Sequence, residues 1–321
     1  MKNTLRATLT LGLIVLSLTW ASAADSADFS DIPNFVPPPL DLRKSPDLDF
    51  ENKFKKVTIV FYVDGSGSMG NHTKKVKAMA ERLTRRLRDT NCMQIRLAVV
   101  DQGAYEENVA STGYPAGMAF VGSPRYLPIE ATGALERFNQ RVNTVMFNRS
   151  GRNEVSVDHV TATLGSEAMD GQYQADDLVV AIVVTDVAIG YDQITTAEEH
   201  LNRIQSALGK TKFIAFGLGQ NPDATKFKCD IDAQVCQSLL PNLTGALESS
   251  ILAAYNHTIP YQTFLRQCEQ LMPNGVKADL LKNFVEGSGG KHLDICTPNP
   301  GRLVDQMADA VFRAAQCKFL M

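Results

Sequence analysis

The sequence has no surplus of basic residues, since 32 Lys and Arg stand against 35 Asp and Glu for a formal charge of −3 over 321 residues. With both signs mixed along the chain, there is no cationic field to hold nucleic acid or an acidic membrane surface. Beyond the first two dozen residues no apolar run reaches the roughly 20 residues that a membrane-spanning helix needs. No CxxC pair is present and the five histidines are scattered rather than spaced as ligands, which argues against a structural zinc site. No internal repeat is visible, so a repeat architecture is not expected.

The first residues carry the opposite signal. Lys2 and Arg6 precede an apolar run at 9–20, and Ala21, Ser22 and Ala23 follow as a small-residue cleavage site. Residues 1–23 therefore read as a signal peptide whose apolar part is too short to span a bilayer. No cysteine lies near the cleavage site, so a lipid anchor on the new N-terminus is not expected. The reading is an exported chain, periplasmic or extracellular, with no transmembrane segment after cleavage. All six cysteines, Cys92, Cys229, Cys236, Cys268, Cys296 and Cys317, lie in the mature part. An even count in an exported chain suggests disulfides. Cys229 with Cys236 is the favoured pair, because the two are close and flank a turn-like segment at 230–232.

Residues 24–54 hold Pro33, Pro37, Pro38, Pro39 and Pro46 among many aspartates, the composition of an extended, solvated linker. The pattern then changes. The run at 57–63 is almost continuously β-forming, and similar runs recur at 95–100, 178–184 and 213–217. Such runs suit parallel strands buried on both faces. Between them lie amphipathic stretches at 74–88, 135–147, 155–169 and 196–208. A last unit adds a helix at 277–286, a glycine turn at 287–290, a short strand at 291–295 and a helix at 301–315. Strands alternating with helices predict an α/β fold, a doubly wound and mostly parallel sheet flanked by helices. Residues 220–274 are too long for an ordinary connection and read as an ordered insertion, helical at 243–255 and 261–271.

The chemistry concentrates where the first strand ends, in Asp64-Gly65-Ser66-Gly67-Ser68-Met69-Gly70. Oxygen-bearing side chains at alternate positions, separated by glycines that allow tight turns, can converge on one small hard cation. Magnesium suits such a set, with manganese or calcium in its place as variants. Asp186 follows the strand at 178–184, and if that strand neighbours the first, Asp64 and Asp186 meet at one sheet edge. A third segment, 148–154, would arrive at the same edge.

Asp64-x-Ser66-x-Ser68 after a hydrophobic strand, with a later strand ending in Thr185-Asp186, resembles the metal-ion-dependent adhesion site of von Willebrand factor type A (vWA) domains. By element order the resemblance covers about 57–315 and makes 55–317 one vWA-like domain. It agrees with exported bacterial members in a second strand at 95–101, an edge segment at 117–123 and a late glycine turn with Cys296. The resemblance implies an antiparallel edge strand, Ser66 and Ser68 as direct ligands, Asp64 and Asp186 as carboxylates acting largely through water, and a protein ligand at the metal face. It also implies a threonine from the third loop. This chain instead has Gly151-Arg152-Asn153-Glu154. Asn153 could supply a neutral oxygen there, or Glu154 a third carboxylate; Thr144, Thr161 and Thr163 fall inside expected helices and read as structural.

Other readings compete. Ser66-Gly67-Ser68-Met69-Gly70 is one residue from a nucleophile elbow, and Ser68, Asp186 and His257 or His292 would follow in hydrolase order. The first position is Ser66 rather than glycine, however, and Asp64 would go unexplained. The glycine turn at 287–290 lacks the first glycine of a phosphate loop, Val285 standing there. A structural subunit of a pilus or secretion-associated assembly would share both fold and export signal. The reading favoured is a non-enzymatic, metal-binding module that recognises another protein. Thiol labelling under denaturing, non-reducing conditions is expected to find no more than one pair of free cysteines, and six labelled cysteines would overturn export into an oxidising compartment.

Overall fold

Val57 to Val63 are buried without interruption, and so is every residue of Asp177–Val184. A strand can be apolar throughout only if both faces are covered, and here they are. In the computed structural model the described residues are 56–65, 69, 72–88, 94–102, 120–147, 157–186, 196–219, 266, 279–295 and 301–314. The chain divides after Phe50, and all of these belong to the second unit, Glu51–Met321. The elements in order are β1 (Lys56–Val63), α1 (Thr73–Arg88), β2 (Gln94–Asp101), β3 (Leu127–Pro128), α2 (Ala134–Phe147), α3 (Val157–Met169), β4 (Asp177–Val184), α4 (Ala197–Leu208), β5 (Lys212–Gly219), α5 (Leu280–Gly287), β6 (Lys291–Asp294) and α6 (Gly301–Ala314).

The strands form one sheet in the order β3-β2-β1-β4-β5-β6. All pairings are parallel except β2 with β3. This is the doubly wound α/β architecture that alternating strands and helices predict, with an antiparallel edge strand as the resemblance implies. Val57, Ile59, Phe61 and Val63 face a core shared with α1, α2 and α6, while Val60 and Tyr62 face the one shared with α3, α4 and α5. In α1 the buried residues Val76, Met79, Ala80, Leu83 and Leu87 recur at three- and four-residue spacing, which makes one apolar stripe. Each large apolar side chain so buried contributes about 1.5–3 kcal/mol.

Two boundaries differ from expectation. The segment expected at the edge, 117–123, supplies in its described part only an isolated bridge from Phe120 to Val100; the edge strand is β3. Gly122 turns the chain at φ 81, and Arg141 Nε lies 2.7 Å from where a Cβ there would stand. Pro124 then offers no N–H to the ladder, so pairing resumes only at Leu127. The other difference is α5, which starts at Leu280 rather than 277, with Asp279 before it making no side-chain capping bond and 277 and 278 outside the described residues. The expected insertion at 220–274 lies, except for Arg266, outside the described residues.

A polar network ties the edge to the helical layer. Glu167 of α3 is wholly buried, and accepts hydrogen bonds from Arg125 Nη1 at 2.7 Å and from the Tyr126 hydroxyl at 2.5 Å. Arg96 lies over the Tyr126 ring at 3.9 Å and donates to Thr58 Oγ1 and to the Gln172 carbonyl, each at 2.7 Å. Burial, Tyr173 and Glu167 together push the Tyr126 phenol far above its ordinary range, so it stays a donor. Removing that donor leaves a buried carboxylate oxygen short of a partner. Tyr126→Phe is therefore expected to cost about 1–3 kcal/mol, read as a lower urea midpoint; an unchanged midpoint would show that the hydroxyl contributes nothing.

Candidate metal centre

The sheet order sets where a site can form. From β1 the chain leaves to α1 on one face, whereas β4 is followed by α4 on the other. A crevice opens between strands whose connections diverge in this way, at their carboxyl ends. β1 and β4 are those strands, with Val63 opposite Val184, so the condition on which Asp64 and Asp186 share an edge is met. The ladder runs on past the strands: Asp64 N–H donates to the Val184 carbonyl and Thr185 N–H to the Leu218 carbonyl, each at 2.9 Å.

Asp64, Thr185 and Asp186 are 4 %, 2 % and 0 % exposed. Two carboxylates withdrawn from water at one edge each cost several kcal/mol unless other groups compensate them. Thr185 Oγ1 provides part of that compensation by donating to Asp64 Oδ2 at 3.0 Å. Two further residues crowd the edge. A Cβ on Gly65 would stand 3.4 Å from Asp101 Oδ1 and 3.1 Å from the Val145 carbonyl, so the end of β2 and the last turn of α2 lie against the start of the loop. Met69 is fully buried in the α1-side core and anchors the loop's far end.

Of the predicted ligands, Asp64 and Asp186 are brought to this edge. Ser66, Ser68, Asn153 and Glu154 lie outside the described residues, as do all six cysteines and His257. Among the described residues no group of three or more His, Cys, Asp or Glu is arranged to hold a metal. Thr144, Thr161 and Thr163 sit within helices: the hydroxyls of the first two donate one turn back, to the Gln140 and Val157 carbonyls, and Thr163 is buried. His292 lies on β6, separated from β1 by β4 and β5. Its ring fills the space a side chain at Gly217 would need, at 2.8 Å.

Sequence reasoning put Thr185 and Asp101 at strand ends but gave neither a role at the edge. Asp101 had the same signal as Asp64 and Asp186, a carboxylate closing a hydrophobic parallel strand. Thr185 had none beyond adjacency to Asp186. Near the loop, burial and the neighbouring Lys75 push the His72 imidazole down to about 4. Lys75 itself donates to the Ile295 carbonyl at 2.5 Å, linking α1 to the end of β6.

With this geometry in view, no family model and no curated protein sequence matches the chain. Solved structures do. A pilus adhesin, SpaC from Lactobacillus rhamnosus GG in its open conformation, is similar at 12% identity and a TM-score of 0.35, over 82% of this chain and 30% of that one. The PilB minor pilin from Streptococcus sanguinis is similar at 11% identity and a TM-score of 0.36, over 85% and 64%. The SpRpn10 VWA domain is similar at 10% identity and a TM-score of 0.22, over 53% and 90%. This chain thus spans under a third of the adhesin's length. No family follows from likenesses this distant.

Beneath the edge, Tyr62 and His159 meet edge to face with ring centroids 5.9 Å apart. Burial pushes the His159 imidazole from 6.5 down to about 3, so it is neutral in the folded state. The unfolded chain takes up its proton below about 6.5 and the folded one does not, so stability falls as pH drops from about 6.5 towards about 3. The slope from this one group reaches about 1.4 kcal/mol per pH unit. His159→Phe is expected to flatten the loss by close to one proton in chemical denaturation between pH 6 and 4, whereas identical slopes would remove His159 as its source.

Proposed function

We propose that the chain is an exported, vWA-like module that binds a divalent cation at the carboxyl edge of its sheet and recognises another protein there, adhesion included. The ligands are Asp64, Ser66, Ser68 and Asp186, completed by Asn153 or Glu154; the ion is magnesium, with manganese or calcium able to replace it. The observation that carries this reading is the in-register pairing of β1 with β4. That pairing puts two buried carboxylates at the point where the connections diverge, and Ser66 and Ser68 follow Asp64 closely in sequence.

The residues fit such an ion. Hard cations take oxygen ligands, commonly one or two carboxylates with neutral oxygens and water, and the edge offers carboxylates and hydroxyls. A positive ion would also offset the cost of holding Asp64 and Asp186 out of water. When bound, the ion supplies an open coordination position for an acidic side chain of a partner. The protein's own part is to hold its oxygens in place and to exclude water on the core side. Glu154 as third-loop ligand would favour the cation through added charge and disfavour an acidic partner; Asn153 would do neither. No helix among the described residues is long and apolar enough to cross a membrane. The module is proposed to act by binding, without catalysis.

Replacing both loop serines tests the site directly. Ser66→Ala with Ser68→Ala is expected to abolish magnesium or manganese binding in calorimetric titration while circular dichroism stays unchanged. Unaltered metal affinity in the double variant removes the assignment. Capture of the partner protein is expected to fail in chelator and to return with added magnesium.

A further inference from the structure

Thr185 belongs to no ligand set proposed above, yet its hydroxyl reaches across the crevice, from Oγ1 to Asp64 Oδ2 at 3.0 Å. Both backbones are already fixed by the extended ladder, through the bonds from Asp64 N–H and Thr185 N–H. With the backbones so held, what the hydroxyl acts on is the rotation of the Asp64 side chain. Threonine suits the task because branching at Cβ leaves χ1 stiff. Its two branches also have separate uses. The methyl group points towards β5, 3.6 Å from where a Gly219 Cβ would stand, and the hydroxyl points towards β1.

We infer that Thr185 is a positioning residue for the cation site, holding the Asp64 carboxylate in one orientation through Oδ2. The inference rests on the proposed metal site. Threonine thereby does for a carboxylate ligand what hydrogen-bonded partners behind metal ligands do generally: it fixes the ligand's orientation before the ion arrives.

Valine matches threonine in shape and lacks the donor; serine keeps the donor and lacks the methyl. In the full chain, titrated with magnesium and with manganese alone, Thr185→Val is expected to bind about 10–100-fold more weakly than wild type, and Thr185→Ser close to wild type. Melting in chelator provides the second readout: a purely structural role would lower the apo melting temperature and leave metal affinity alone. If Thr185→Val does not fold, Thr185→Ala takes its place under the same criterion. Wild-type affinity in the valine or alanine variant, with binding abolished by the loop-serine double variant, overturns the positioning role and leaves the metal site standing. Equal losses in the serine and valine variants overturn it too, because the hydroxyl would then not be the cause. Failure of the wild-type chain to bind either ion overturns both readings together.

Discussion

The parallel pairing of β1 with β4 is the constraint from which the rest follows. These are the central strands, buried on both faces, and their register sets Val63 against Val184. A shift of one residue would turn the alternating side chains of a strand to the opposite face. Here that would exchange Phe61 and Val63 for Val60 and Tyr62 in two differently shaped cores. Two independent packing surfaces thus hold one register, and the register holds Asp64 beside Thr185. At its other end the same ladder sets Lys56 opposite Asp177, and their side chains form an ion pair at 2.8 Å.

The ring groups around and behind the edge are kept uncharged. Burial drives His159 and His72 to about 3 and about 4, and it drives the Tyr62 phenol upwards. These three side chains therefore carry no charge near neutral pH. The polar network of Glu167, Arg125, Tyr126 and Arg96 joins β3 and α3. Its work is to anchor a two-residue edge strand that has little pairing of its own.

Much of this was legible beforehand. The runs at 57–63, 95–100 and 178–184 identify buried parallel strands because two covered faces demand apolar residues at every position. The amphipathic stretch at 74–88 identifies α1 because one covered face demands them every three or four. Asp64 and Asp186 stand out as carboxylates that end such strands. Thr185 and Glu167 do not stand out, because a threonine beside an aspartate and a glutamate in a helix are ordinary wherever they occur. The edge was legible only in part: Phe120 bridges to Val100 within the expected edge segment, and the chain turns at Gly122, packed on Arg141, before β3 pairs with β2.

By itself, then, the sequence determined the layers of the fold and the two acidic strand ends, since periodicity and strand-terminal chemistry are local properties of the chain. Which strands would be neighbours, and so whether Asp64 and Asp186 would share an edge, was decided only by the tertiary structure. Strand order depends on how the crossovers distribute helices between two faces, and hydrogen bonds such as Thr185 to Asp64 exist only once that distribution is complete.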